Sequence, residues 1–341
     1  MKSSSDPRRR RNEEECQDET EAPRFGRGSG MRKIHLARWI ISLLSTFLSR
    51  ERSTPLIRPQ TIDWNDSLVP QTVRVNGDTI FYVVKGAGDP LVLIHGYGAA
   101  IWLWEKQIDL LSSRYKVYAL DLLGHGFSDR PRMAYTPEAY IRFFRNFMDA
   151  VGVEKATLIG NSMGGGLAWS VAGLFPERVD KLVLIDCIPP DVLRQVRNDS
   201  FRKLSALERF PLLLYWVYAN RNRDSVKWIL QECVTDKTRI TPEVVDRQYR
   251  FSRIKGTTWS LYSTFRNAKD AVRLRECLNR IDRPTLLIWG EDDLLFPPSV
   301  GEALNRAIPG SKLHIVEKSG HIPMWETPEK VNPLIVDFLS G

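Results

Sequence analysis

The chain has 341 residues, 43% of them hydrophobic, which is enough to bury a large core as one domain or two. Its net charge of +8 comes with no basic-aromatic recognition motif, so nucleic acid is not an expected partner. The four cysteines, Cys16, Cys187, Cys233 and Cys277, stand at neither metal-ligand nor redox spacing, which argues against a zinc site or a disulfide framework and suits a reducing compartment.

Residues 1–33 are polar and charged, with Arg8 to Arg11 followed by Glu13 to Glu15, and read as a disordered leader. An apolar segment from Ile34 to Leu48 follows, flanked by Arg32-Lys33 and by Arg50 and Arg52. As a helix it reaches ~22 Å, short of a hydrocarbon core of ~30 Å. Its polar residues, His35, Arg38, Ser42, Ser45, Thr46 and Ser49, fall within one arc of roughly 100°. Residues 34–49 are therefore expected to form an amphipathic helix lying in a membrane interface, with Trp39, Ile40, Leu43, Leu44 and Phe47 inward and the basic flanks drawn to anionic lipid on the cytoplasmic side. A short spanning anchor and packing onto the body or a second subunit are the alternatives; Arg38 and the charged leader speak against a signal peptide. A start at Met31 would place Met-Arg-Lys directly before the apolar segment, a more usual anchor layout. Residues 50–70 read as a linker.

From Gln71 the chain turns to short β-rich runs. Val73 to Val75 and Thr79 to Val84 are joined by Asn76-Gly77-Asp78, a hairpin signal. Leu91 to Ile94, Val117 to Leu120, Ala156 to Ile159, Leu182 to Ile185, Thr285 to Trp289 and Leu313 to Val316 are apolar runs separated by helix-like segments, the pattern of buried parallel strands. Thr136-Pro137-Glu138 marks one helix start. The alternation predicts a doubly wound, mostly parallel α/β sheet whose ligands sit at the carboxyl ends of the strands.

The third of these apolar β runs leads into Gly160-Asn161-Ser162-Met163-Gly164, a Gly-x-Ser-x-Gly turn from strand to helix. Such a turn holds a serine hydroxyl exposed above the sheet, and Gly160 and Gly164 supply the small neighbours it needs. His95-Gly96-Tyr97-Gly98 follows the first apolar run, and the loop Asp121 to Asp129, with Gly124 and Gly126, follows the second. Gly290-Glu291-Asp292-Asp293 with Pro297 and Ser319-Gly320-His321 follow the last two. A serine, an acid and a histidine thus lie in that chain order, each just beyond a strand.

On these five motifs the chain resembles the α/β-hydrolase fold superfamily over about residues 71–341. The resemblance implies Ser162 as nucleophile, Asp293 as acid and His321 as base, with the backbone amides of Tyr97 and Met163 as oxyanion hole. His95 and Gly96 would support the oxyanion turn, as Gly160 and Gly164 do the serine turn. This chemistry needs a histidine to take the serine proton and an acid to hold the imidazole. It calls for no metal or organic cofactor. Asp292, adjacent, and Asp186, ending the run Leu182 to Ile185, are rival acids, and the Asp293-x-x-x-Pro297 spacing favours Asp293. Among the other histidines, His125 lies in a loop on the same edge, His314 within a strand and His35 in the N-terminal segment. Asp121 and Asp129 are expected to organise their loop.

Between Pro190 and about Arg275 the alternation lapses into helix-like segments, where this superfamily carries a lid. The domain layout expected is a body of residues 71–190 and 276–341 with a helical cap at 191–275. The cap holds 18 Lys and Arg against 9 Asp and Glu, and eleven aromatics, so it carries the chain's excess charge. Its apolar residues are expected chiefly to fix it to the body. A sharper expectation is that they line an acyl-sized tunnel while the basic outer face meets anionic lipid.

A serine in the turn speaks against the dehalogenases and epoxide hydrolases of this superfamily, which use an aspartate there. Hydrolysis of a lipophilic ester is the expected activity, with a small lipophilic acyl compound as substrate. The wording Gly160-Asn161-Ser162-Met163-Gly164-Gly165 also resembles hydrolases that cleave carbon–carbon bonds of ring-fission products. Against these stand Asp186-Cys187-Ile188-Pro189-Pro190, where that group is glycine-rich, and His95-Gly96-Tyr97-Gly98-Ala99-Ala100. Acyl transfer to another acceptor and a non-enzymatic receptor on the same fold are further alternatives.

Overall fold

The computed structural model describes residues 68–341. The leader, the segment 34–49, positions 50–67 of the linker and the alternative start at Met31 lie outside the described residues.

The hairpin comes first. Asn76 (φ 53°) and Gly77 (φ 93°) both take left-handed backbone, the turn that matches strand twist, and join β1 (Pro70–Val75) to β2 (Asp78–Lys85) with Val75 opposite Asp78. Six further strands follow, β3 (Pro90–Ile94), β4 (Lys116–Leu120), β5 (Ala156–Asn161), β6 (Val179–Ile185), β7 (Thr285–Gly290) and β8 (Lys312–Val316). The sheet order is β1-β2-β4-β3-β5-β6-β7-β8, antiparallel across β1, β2 and β4 and parallel from there on. Each predicted strand is present and runs one to three residues further. β6 starts at Val179 because Asp180 and Lys181, polar and half-buried, continue the ladder before its apolar stretch begins.

The sheet is covered on both faces. Successive residues of β3 serve opposite layers, Val92 and Ile94 facing one and Leu91 and Leu93 the other. The first layer is built by α2 (Pro137–Ala150) and α3 (Met163–Leu174), through Phe144, Phe147, Leu167 and Trp169. Thr136 caps α2, its hydroxyl accepting the Ala139 amide at 3.2 Å, with Pro137 in the first turn. The second layer is built by α1 (Glu105–Leu111) and the C-terminal helix Pro328–Ser340, through Ile108, Leu111, Val331 and Ile335.

Between β6 and β7 the chain leaves the sheet for helices α4 (Asp199–Ala206), α5 (Pro211–Ala219), α6 (Arg223–Glu232), α7 (Pro242–Ser252) and α8 (Thr257–Asn267). A run of 3₁₀ turns over Ala268–Arg280 then leads back and straddles position 275. This cap has a small core of its own in which Leu214 and Tyr218, one turn apart on α5, meet Leu261, Tyr262 and Phe265 of α8. The other face of α5 leaves Leu212 80% and Phe210, just before it, 61% exposed. Among the described residues no helix is long and apolar enough to cross a membrane.

The parallel order reverses between β3 and β5: β3 leads to β4 on one side, β5 to β6 on the other. The loops after β3 and β5 diverge at that point and leave the crevice where open α/β sheets bind ligands. Closing it requires α3 to start hard against β3, and a Cβ placed at Gly164 would collide with the Ile94 carbonyl oxygen. Gly164→Ala is expected to lose about 1–3 kcal/mol of unfolding free energy by overpacking. Urea denaturation checks this, with alanine at Gly77, whose Cβ would meet nothing within 4 Å, as a control that strains only its own turn.

Candidate active site

Ser162 stands between β5 and α3 with φ 52° and ψ −118°, a backbone conformation L-residues avoid. Hydrogen bonds fix it there: its amide donates to the Ile185 carbonyl (3.0 Å), and its carbonyl accepts from Gly166 (3.0 Å) and Ile188 (3.1 Å). Glycines let the neighbouring backbones close in, since a Cβ at Gly160 would strike the Gly164 carbonyl and one at Gly165 the Cys187 side chain. Met163 is the first residue of α3, so its amide has no carbonyl one turn earlier to bond.

The loop after β3 lies beside the serine. A Cβ at Gly96 would come within 3.1 Å of Ser162 Cβ and of Asn161 Oδ1, a tight fit that glycine relieves. His95 is fully buried, its Nε2 accepting the Leu122 amide (3.0 Å) and its Nδ1–H donating to the Gly96 carbonyl (2.7 Å), so both bonds set its tautomer. Burial pushes this imidazole down to about 4. The Tyr97 side chain reaches into the cap, its hydroxyl donating to the Leu261 carbonyl (2.8 Å) and lying 2.9 Å from the Tyr218 hydroxyl. Asp121 holds the next loop, accepting the amides of Ile101 (2.8 Å) and Phe127 (2.7 Å), while Asp129 accepts that of Thr79 (2.7 Å).

On the far side, His321 Nδ1 lies 2.8 Å from Asp293 Oδ2, both side chains being buried. The other oxygen of Asp293 accepts the amides of Leu295 (2.8 Å) and Phe296 (3.2 Å), the turn that its position four residues before Pro297 provides. Asp292 points elsewhere, to the Thr235 hydroxyl at 3.2 Å. Asp186 comes close without bonding His321: its Oδ1 accepts the Gly290 amide (2.9 Å), its Oδ2 is buried without a hydrogen-bond partner, and ligand atoms of Asp186, Asp293 and His321 all lie within 4.8 Å of one another. Burial first, and then the charge of Asp293, push its carboxyl well above the usual carboxylate range. His314 lies on β8 with an exposed side chain. His125 is buried beside His95, ring centroids 5.4 Å apart.

Ser162, Tyr97, Met163 and His321 line one cavity of about 240 Å³. Its walls come from body and cap together and are mostly apolar, Val196, Leu204, Leu230 and Phe265 among them. Three contributors carried no signal in the sequence. Glu326, 1% exposed, accepts the amides of Thr235 and Asp236 from the cap (2.7 Å each) and of Gly320 beside His321 (2.8 Å). Gln248 of α7 donates to the Gly98 carbonyl and accepts the Trp102 indole N–H (3.1 Å). Arg221 lies between α5 and α6 at the cavity wall. Carboxylates, amides and arginines abound in any chain, and only the position five residues after His321 ties Glu326 to the site.

A model of the alpha/beta hydrolase fold matches residues 89–328. The chain belongs to the α/β hydrolase fold family and is an enzyme of that family. It is similar to a 2-hydroxy-6-oxononadienedioate/2-hydroxy-6-oxononatrienedioate hydrolase of Paraburkholderia phymatum, 30% identical over 274 residues that cover 76% of this chain and 91% of that protein. Among solved structures it resembles a meta-cleavage product hydrolase (TM-score 0.69, 28% identity, 80% of this chain and 98% of that one). It equally resembles a membrane phospholipase A described as a bacterial virulence factor (TM-score 0.66, 28% identity, 91% of this chain and 96% of that one).

Two buried groups of the site respond to acid in opposite senses. His95, held down to about 4, excludes a proton that the unfolded chain takes up below about 6.5, so its contribution to stability is complete above that pH and is lost as pH falls towards 4. Burial raises the Asp121 carboxyl to about 6, so that group costs stability as pH rises through the same range. The two offset in a global unfolding curve. Proton NMR is therefore expected to find His95 neutral down to about pH 4, and titration near 6.5 would contradict the buried environment.

Proposed function

We propose that the chain is a serine hydrolase that cleaves a lipophilic carboxylic ester through an acyl-enzyme. The observation that carries this reading is the buried His321–Asp293 pair facing the same apolar cavity as the strained Ser162. In this scheme Ser162 Oγ attacks the ester carbonyl as His321 Nε2 takes its proton, and Asp293 stabilises the imidazolium through Nδ1–H. The carbonyl oxygen, now negative, is held by the amides of Tyr97 and Met163, each such donor being worth about 3–4 kcal/mol of barrier. Collapse expels the alcohol, which leaves with the proton from His321. A water activated by the same imidazole then attacks the acyl-enzyme, releasing the acid and restoring Ser162. His95, Gly96, Gly160 and Gly164 act by fixing the two turns that set this spacing.

A largely apolar wall supports a lipophilic acyl chain, and the similarity to a membrane phospholipase A supports an ester presented by lipid. Phe210, Leu212, Leu213 and Trp216 are exposed on one edge of the cap, near exposed Arg202, Lys203 and Arg209 in sequence. Such a surface suits an anionic, cytoplasmic membrane leaflet, in concert with residues 34–49. The second reading, hydrolysis of a carbon–carbon bond in a ring-fission product, is favoured by the Paraburkholderia relative and the meta-cleavage hydrolase. Transfer of the acyl group to an acceptor other than water would use the same residues.

Ser162→Ala is expected to abolish turnover of p-nitrophenyl octanoate and labelling by a fluorophosphonate, and retained labelling would overturn the nucleophile. Rates on that ester against a ring-fission dienone separate the two readings. In a flotation assay the full chain is expected to prefer vesicles containing phosphatidylserine over phosphatidylcholine alone, and to lose most of that preference without residues 1–60. Equal flotation on both vesicles would remove the membrane from the proposal.

A further inference from the structure

Among the described residues two arginines, Arg130 and Arg221, line the cavity, and they differ in their acceptors. Arg130 spends its guanidinium on the Thr257 hydroxyl (2.8 Å) and the carbonyls of Ser128 (2.7 Å) and Gly126. Arg223, two residues beyond Arg221 and exposed, is paired with Asp246. Arg221 differs from both. It lines the cavity, its Nε and Nη2 are fully buried, and neither has a hydrogen-bond partner among the described residues.

Among the described residues no carboxylate pairs with it. The guanidinium lies over the Tyr218 ring, 5.5 Å from the centroid, and the neighbouring phenols of Tyr218 and Tyr97 are held neutral by burial. The charge that acts on it, that of Arg253, has the same sign. An arginine does not discharge by losing its proton. A buried guanidinium without acceptors is costly to maintain unless something brings an anion to it. Its backbone is held just outside α6, whose capping residue Asn222 accepts the Ser225 amide at 2.9 Å, so the side chain starts from a fixed point.

We propose that Arg221 is an anion-reading residue of the cavity, and that the substrate carries a carboxylate or phosphate group besides its scissile ester. The inference rests on the ester-hydrolase reading and narrows it. A planar guanidinium with two free N–H directions suits either group, because both present paired oxygens at the spacing of its fork. The remaining wall is mostly apolar, so the anion has one cationic partner there without an acceptor of its own among the described residues, and its position orients the rest of the molecule.

The test compares matched esters on the full chain and on Arg221→Gln. One pair differs at the acyl end, p-nitrophenyl octanoate against the p-nitrophenyl half-ester of suberic acid, which ends in a carboxylate. The other differs on the alcohol side, monooleoyl glycerol against monooleoyl glycerol phosphate. At least one anionic ester is expected to exceed its neutral partner tenfold or more in kcat/KM, with the excess lost in Arg221→Gln and neutral esters turned over as before. The pair that shows the effect identifies the source of the anion as acyl tail or headgroup. No preference in the unmodified chain, a preference kept by Arg221→Gln, or an equal fall on neutral and anionic esters would overturn the proposal, the last marking Arg221 as a structural cation. If no ester is turned over, the hydrolase reading fails by itself. Calorimetric binding of the same esters then decides the role of Arg221: anion-dependent binding that Arg221→Gln abolishes supports it, and equal binding refutes it.

Discussion

The backbone contact between the start of α3 and the end of β3 is the constraint on which the site depends. Gly164 removes the side chain that would hold these two apart, Gly160 does the same between β5 and the start of α3, and Gly165 and Gly166 let the helix close on Cys187 and Ile188 after β6. The helix consequently begins one residue after β5 ends, and Ser162, the single turn residue between them, is left with φ 52°. That conformation costs about 1–3 kcal/mol and persists only because the surroundings over-determine it. Here they do so through the Ile185, Gly166 and Ile188 hydrogen bonds and a β5 that is buried along its whole length. Strain at one residue is thus borne by β5, the end of β6 with the loop that follows it, and the first turn of α3.

From the opposite side the cap holds both flanks of the serine. Through Tyr97 and Gln248 it is bonded to the loop after β3, and through Glu326 to the loop that bears His321. The segment Cys233-Val234 also packs on Gly320 closely enough that a Cβ there would lie 2.7 Å from the Cys233 carbonyl oxygen. Displacing the cap would break bonds on both flanks together. It is part of the framework that sets the distances between Tyr97, Ser162 and His321, as well as the cover of an apolar cavity.

Much of this was legible in the sequence because parallel strands buried on both faces are short unbroken apolar runs, and because residues at their carboxyl ends share one edge of the sheet. The mostly parallel sheet and the Asn76-Gly77 turn follow from such local signals. The bonds from Glu326, Gln248 and Arg221 do not, since each depends on a cap helix meeting a body loop far away in the chain, and nothing local distinguishes these side chains from solvated ones. The choice among three aspartates shows the boundary. Spacing to Pro297 favours Asp293, but only the fold reveals that Asp186 also lies within 4.8 Å of the same imidazole, without the 2.8 Å contact that Asp293 makes, and differs in its supply of hydrogen bonds.

That difference separates two carboxyls of the same kind. Asp293 accepts two amides and faces the imidazole, whereas Asp186 accepts one amide and leaves an oxygen bare in the interior. Burial and the neighbouring charge therefore favour the neutral form of Asp186, the carboxyl that does not touch His321. Away from this pair the cavity wall is largely apolar until Arg221, a cation without an acceptor among the described residues. Beside an apolar wall such an unpaired charge acts over a longer distance than at an open surface. A molecule bearing an anionic group finds its cationic partner at the Arg221 wall of the same cavity that Ser162 lines, so that one group sets which end of the molecule enters first.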